Sequence, residues 1–476
     1  MEKEKIQKNI DKNIETLENL FSDDLLKTRN IVNINNPKQR FVIMYFGNLV
    51  NRDYIQNSIV EPILEFTGKF EGKKTFETLE ESVLFASEVN KVNKFDEIAT
   101  ELMMGRTILF IDKFDRALSM ETNDRIIRGN QEPETEQVLR GPREGFNESL
   151  LDNISLVRRK VLTPEFKIEY YKLGKNTQTN YCICYIKNLV DKKALEELKK
   201  RLKGLNVDAV LDTYAINQLI KDRTLSPFET VFLMEKPDTF VSKLLEGKAG
   251  VIIDGTPVAM TVPNLFVENF QTSEDYYVSP YFASLSRIAR IFSFFISLYL
   301  PAVYVAVVTM HWEVLPVDLS FAIAQGKMGT PFPTVLECFL LMSVFEILRE
   351  TGVRVPTGVG QSLSVVGAIV IGQAAVEAQL ASPTMVFIVA LTAITGLINY
   401  NMKGAAIVLR YVNLLISSVF GLYGCLFSFF LIMTHLFSIR SFGVQFMEKY
   451  VPFKLENVKD SIIRAPMKNI NQTGEN

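Results

Sequence analysis

The pattern of apolar and polar positions divides the chain in two. Up to about Arg290, apolar residues come in short runs between charges; from Ile291 to Ile439, charges are sparse and the apolar runs are long. In the first half, residues 40–50 (RFVIMYFGNLV) are β-branched and aromatic and predict a buried strand. Helical patterns follow at 57–66 and 78–89, and 107–111 (TILFI) predicts a second strand. Residues 117–147, rich in charge, Gly and Pro, predict a long connection. Strands are predicted again at 166–172 and 180–186, and Asp191 can cap a helix over 192–202 that carries Leu195, Leu198 and Leu202 on one face. A helix over 212–221 and strands at 230–234 and 250–253 follow, and Asp254-Gly255 turns the chain into a hairpin with 256–262. Alternating strands and helices predict an α/β or α+β region of two subdomains, 37–150 and 151–286. Residues 1–36 are polar, with loose helical periodicity over 14–27, and predict a flexible or peripheral helical segment.

The second half reads as an all-α, polytopic membrane domain, residues 287–439. A bilayer core of about 30 Å needs about 20 mostly apolar helical residues. Residues 291–310 meet that need without a charge, and Pro301 predicts a kink that membrane helices tolerate. Residues 314–334 mix Asp318, Lys327, Gly and three prolines, so a re-entrant or interfacial segment fits better than a span. Residues 335–348 are apolar except for Glu337 and Glu346, residues 361–380 are rich in Gly, Ala and Ser, and 382–400 are apolar. The longest apolar run, 412–437, contains Gly421 and Gly424. Arg287 and Arg290 before the first span and a basic tail over 440–476 place both ends in the cytoplasm by the positive-inside rule. An even number of crossings is needed, so the expectation is about four spans plus re-entrant or partly inserted segments.

Charge and motifs then exclude several classes. The balance of 52 Lys+Arg against 54 Asp+Glu gives no basic stripe for nucleic acid. Residues 1–30 lack the apolar core of a secretory leader. The four cysteines, Cys182, Cys184, Cys338 and Cys425, form no C-x-x-C pair, and His311 and His435 lie far apart, so neither a disulfide framework nor a metal site is expected. No nucleophile elbow, phosphate loop or dinucleotide fingerprint appears, so no enzyme and no cofactor are expected. Carboxylates inside apolar helices are costly and by default face a cavity or the bundle interior. Glu337, Glu346 and Glu377 are therefore candidates for ion passage; alternatively they lie at the membrane edge or pair with Arg349, Arg354 or Lys327.

Four stretches carry a resemblance. Residues 139–160 (LRGPREGFNESLLDNISLVRRK), 245–263 (LEGKAGVIIDGTPVAMTVP), 273–277 (SEDYY) and 349–383, the last containing VGQSLSVVGAIVIGQAAVEAQLASP, resemble in order and spacing the A subunit of bacterial spore germinant receptors, the GerA family. The resemblance extends from about Arg40 to the end of the membrane region. It implies a protein of the spore inner membrane, acting with a transporter-like B subunit and a lipoprotein C subunit. It further implies a homo-oligomer, a pentamer, forming a nutrient-gated channel that releases monovalent cations.

On that reading, residues 141–160, with Arg143, Glu144, Asn153, Arg158 and Arg159, form a subunit contact or else the start of a domain-internal helix. The small-residue helix 361–380 packs near the axis, with Ser362, Ser364 and Val366 near its entrance, Val365 as an apolar gate and Gln373 beside Glu377; the alternative is ordinary helix packing. Two rivals remain: a secondary transporter, disfavoured because no clear internal repeat is evident, and a non-conducting scaffold.

Overall fold

The computed structural model describes residues 5–37, 39–68, 74–86, 88–123, 132–133, 135–355, 367, 370–448 and 460–466. They form two compact units, Met1–Lys221 with Val231–Pro263, and Asp222–Thr230 with Asn264–Asn476.

The first unit begins with α1, Ile10–Phe21, whose N-cap Asn9 accepts from the backbone N–H of Asp11 and Lys12. Ile10, Leu17 and Phe21 fall on one face of α1 and are buried. Strand β1 (Leu26–Val32) pairs antiparallel with β2 (Arg40–Phe46). Helical turns over residues 52–65 and 75–83 lead to β3 (Val89–Val92), α2 (Phe95–Met103), β4 (Arg106–Ile111) and β5 (Ala117–Glu121). The sheet order is β1-β2-β4-β5-β3. There follow α3 (Leu150–Lys160), β6 (Phe166–Leu173), β7 (Thr179–Ile186), α4 (Lys192–Gly204), α5 (Thr213–Ile220), β8 (Phe232–Met234), α6 (Pro237–Leu245), β9 (Ala249–Ile253) and β10 (Ala259–Val262). Their sheet order is β6-β7-β9-β10-β8, which is the same permutation. Every pairing in both sheets is antiparallel, so the region is α+β.

The two subdomains are therefore one motif used twice. The correspondence reaches single residues. Asn-Leu-Val follows β2 at 48–50 and β7 at 188–190. Gly105 (φ 80°) and Gly247 (φ 86°) each precede the penultimate strand, and a Cβ there would lie 2.9 Å from the Leu49 carbonyl and 2.6 Å from the Leu189 carbonyl. Buried Asn13 clamps Gln7 by donating to its carbonyl (2.6 Å) and accepting its N–H (2.9 Å). Buried Asn153 clamps Asn147 in the same way, at 2.6 and 2.8 Å. Asn153→Ala strands a buried donor and acceptor and should cost about 2–3 kcal/mol, read as a lower thermal midpoint of the full chain.

Where a flexible or peripheral helical segment was expected over residues 1–36, the described residues form the helix α1, which contributes to the first core, and the strand β1, which closes the sheet edge. The predicted connection over 117–147 opens instead with β5, whose Ala117, Leu118 and Met120 are buried.

In the second unit the long helices are α7 (Pro280–Met310), α8 (Val317–Lys327), α9 (Thr334–Arg354), α10 (Pro383–Leu397) and α11 (Lys403–Ser438). Two stretches, Pro280–Met310 and Tyr400–Ser438, are long and apolar enough to cross a membrane. A straight helix of 36 residues would measure about 54 Å. α11 does not run straight. Gly421 has φ 59° and ψ −141°, and a Cβ on Gly424 would sit 2.7 Å from the Ile416 carbonyl. Met402, Ala405 and Ala406 share a buried cluster with Ile432 and Leu436. These facts make residues 403–420 and 422–438 the arms of a helical hairpin with its apex at Gly421.

Both arms pack on α7. Phe294 and Leu298 meet Ala405 and Leu436, Ala306 meets Cys425, and Gly421 abuts His311. α9 runs antiparallel to α7: Cys338 and Met342 join Val305 and Val308, while Glu346 reaches the level of Ser297 through Arg410. Gly367 lies beside Leu348, and Gln379, just after the helix 370–377, lies beside Gly329. α10 then descends from Met385, next to Val305, to Asn399, which donates to the Arg290 carbonyl. Among the described residues, α7, α9, the helix 370–377, α10 and the two arms of α11 alternate in direction, and the shorter α8 stands between α7 and α9 in the chain. Residues 412–437, the longest apolar run of the sequence, are thus split at Gly421 rather than continuous.

Candidate functional site

The basal end of the bundle is fixed by charge. Asp275, in the 3-10 turn Ser273–Tyr276, accepts from Arg287 Nε (2.8 Å) and from Arg290 Nη1 (2.9 Å) and Nη2 (2.8 Å). Arg287 also donates to the Asp460 side chain and carbonyl, and Arg464 donates to the carbonyls of Tyr276 and Val278. The chain after α11 thus returns to the start of α7. Burial alone would raise the Asp275 carboxyl, but hydrogen bonds and charge from Arg290 and Arg287 outweigh it and hold it below the usual carboxylate range. Its folded value lies below the unfolded one, so its contribution is complete at neutral pH and is lost as pH falls below about 4. Hydrogen exchange of residues 460–466 should accelerate in that window, and in Asp275→Asn it should already be fast at pH 7.

Halfway along the bundle, buried Arg410 donates from Nε to the Ser297 carbonyl (2.6 Å) and from Nη1 to Glu346 (3.5 Å), and Glu346 also pairs with Arg349. Glu346 is therefore held between two guanidinium groups. Arg349 was an expected partner; Arg410 was not, because it is remote in sequence. At the distal end Glu337 is 1% exposed, and its Oε1 accepts from Ser382 N–H and Oγ (2.6 Å each), capping α10. Its Oε2 has no hydrogen-bond partner among the described residues.

Gln373 and Glu377 sit one turn apart on the helix 370–377, and both are exposed, as are Val370, Ile371, Ala374 and Ala378. Ser362, Ser364, Val365 and Val366 lie outside the described residues. The structure thus separates the three candidate carboxylates. Glu337 caps a helix, Glu346 joins an ion cluster, and Glu377 faces outward.

The candidate contact residues of the first unit are also separated. Arg143 pairs with Glu132 on the surface, and Glu144 takes Arg159 and Lys160. Asn153 is the buried clamp described above. Arg158 is buried, paired with Asp23, and lies 4.2 Å over the Phe46 ring and 5.7 Å from that of Phe166. Asn153 and Arg158 thus serve inside the chain, joining and shaping the repeats. Asp23 carried no signal in the sequence, since its partner lies in the other repeat.

The family model described as "Bacillus/Clostridium GerA spore germination protein" matches residues 11–475. The chain belongs to the GerA family. Spore germination protein KA of Bacillus subtilis (strain 168) is 40% identical over 426 residues, covering 89% of this chain and 78% of the relative. Spore germination protein A1 of the same organism is 32% identical over 452 residues, 94% and 92% of the two chains. The uncharacterized membrane protein YfkQ, also from that organism, is 37% identical over 427 residues, 89% and 83%. Among solved structures, the N-terminal domain of the A subunit of the Bacillus megaterium spore germinant receptor GerK3 aligns at 25% identity with TM-score 0.45, over 55% of this chain and 98% of that one. This GerA protein is thus an A subunit of a spore germinant receptor.

Proposed function

We propose that this GerA protein oligomerises in the spore inner membrane, as a pentamer, into a nutrient-gated channel for monovalent cations. The B and C subunits supply nutrient sensing and attachment, and both ends of the chain lie in the cytoplasm. The observation that carries this reading is the outward face of the helix 370–377. In a unit of mostly apolar helices it presents Gln373 and Glu377 without covering them, along with small Ala374 and Ala378. A carboxylate exposed to lipid is costly, so this face calls for a partner copy or water. Arranged around an axis, it becomes a ring of carboxylates that favours cations, with small residues leaving room for a lumen. Glu337 and Glu346 do not fit such a ring, because each is consumed inside its own chain. Nutrient would act by binding one state of the complex better than the other.

The test is cation conductance of the assembled complex in a defined bilayer before and after nutrient. Glu377→Gln should reduce the preference for cations over anions several-fold while leaving assembly intact. Current of unchanged selectivity would remove Glu377 from the pathway. A silent assembled complex would favour the scaffold.

A further inference from the structure

The duplication in the first unit supplies a template for contact between chains. Inside one chain the two repeats meet head to tail. The tail side of the first repeat comprises the end of α1, Asp23 and Asn48; the head side of the second comprises Ser155, Arg158 and Lys167. Lys167 Nζ donates to the carbonyls of Leu20 and Phe21 (2.7 Å each). Asn48 Nδ2 donates to Ser155 Oγ (3.0 Å), which donates back to the Asn48 carbonyl (2.8 Å). Asp23 pairs with Arg158.

Each repeat owns both faces, so one face of each is left over. By the correspondence that matches Asn13 to Asn153 and the two Asn-Leu-Val segments, the spare tail is the end of α3 with Thr163 and Asn188. The spare head is Glu15, Glu18 and Lys27. Lys27 and Asn188 are the same residue types as their counterparts Lys167 and Asn48. Both spare faces are open. Glu15, Glu18, Lys27, Lys187 and Asn188 are exposed, and Leu162 and Leu189 are 44% and 48% exposed.

Their net charges are complementary and reversed relative to the internal joint. The spare head carries Glu15 and Glu18 beside Lys27, with Asp11 of α1 already paired to Arg40, and is acidic on balance; the spare tail carries Arg159, Lys160 and Lys187. Arg159 and Lys160 share the carboxylate of Glu144, which leaves positive charge in excess. A basic tail repels the basic head of a second repeat and accepts the acidic head of a first repeat.

We infer that the second repeat of one subunit docks its tail on the head of the first repeat of a neighbouring copy, so that the joint within the chain recurs between chains. Such a contact is heterologous, and it gives a closed ring when its rotation divides the circle and an open filament otherwise. The inference rests on the proposed self-association and assigns its cytoplasmic surface.

The full-length protein is examined in detergent by native mass spectrometry and by cysteine pairing. Glu18→Cys with Thr163→Cys, at the positions matching Arg158 and Asp23, should give a ladder of covalently linked copies under mild oxidation. The native cysteines are all buried and contribute little background. Glu15→Lys with Glu18→Lys should weaken association about tenfold, and adding Lys160→Glu with Lys187→Glu should restore it. The four positions lie at the surface, and because Lys160→Glu also gives up the pair with Glu144, the thermal midpoint of each variant is read beside its association. Oligomers that persist with no ladder and no charge effect would overturn this interface while leaving self-association standing. A monomer under every condition would overturn both.

Discussion

Replacing Arg158 by alanine is expected to be among the most damaging single changes in the first unit. The guanidinium is almost completely enclosed, with side-chain exposure of 3% against 2% for Asp23. It lies over Phe46 from the first repeat and near Phe166 from the second, so one group touches both cores. Breaking a buried pair from one side leaves the other charge without compensation, at a cost of about 3–5 kcal/mol. For a unit of this size that is a fall of roughly 10 °C in thermal midpoint. The loss should be shared by both repeats, visible as faster hydrogen exchange in β2 and β6 together. Asp23→Asn with Arg158→Met should recover part of it, because the stranded charge is removed from both sides. A midpoint within about 1–2 °C of the parent in Arg158→Ala would show that the pair only breaks even with solvation.

Arg158 also illustrates what the sequence hides. It stands in the run Arg158-Arg159-Lys160, which reads as a solvated or subunit-contact face, yet Arg158 alone of the three is buried. Helical rotation places Arg158 inward and its neighbours outward, and nothing in a basic run announces which member turns in. The interior strands were legible because they are continuous apolar runs. TILFI and NYCICYI became β4 and β7, Asp191 caps α4, and Asp254-Gly255 turns β9 into β10. β1 (LKTRNIV) was not legible, because an edge strand that exposes most of its residues lacks an apolar signature. The duplication was masked for a similar reason. The repeated residues are structural specialists such as Asn13, Gly105 and Asn48, scattered among core positions where many apolar side chains serve. In the helical unit, apolar length was legible but rotation and reversals were not. Glu377 and Glu337 look alike in sequence, yet one faces outward and the other caps α10. The sequence offers Arg349, one turn away, as a partner for Glu346, whereas Arg410 enters from a helix remote in sequence.

The reversal at Gly421 gives the second large expected effect. Its φ of 59° with ψ of −141° lies in territory open essentially to glycine alone, where another residue costs of order 1–3 kcal/mol. A Cβ would also stand 2.4 Å from His311 Cε1, and His311 is itself held against the Tyr423 ring. Gly421→Ala should therefore carry both backbone strain and a clash. His311→Ala in the same chain should relieve the clash and leave the strain, so the double variant should recover only part of the stability. Gly421→Val adds a branched side chain and should prevent the hairpin from closing. The consequence is readable as sidedness. With the hairpin intact, cysteine placed at Arg440 in reconstituted vesicles should react with an impermeant reagent from the same side as cysteine placed at Ser286. In Gly421→Val, the Arg440 position should become reactive from both sides or the protein should fail to accumulate. Labelling of the parent at Arg440 and Ser286 from opposite sides would mean that residues 403–438 cross as one helix. The even number of segments, and with it the shared side of the two ends, would then be wrong.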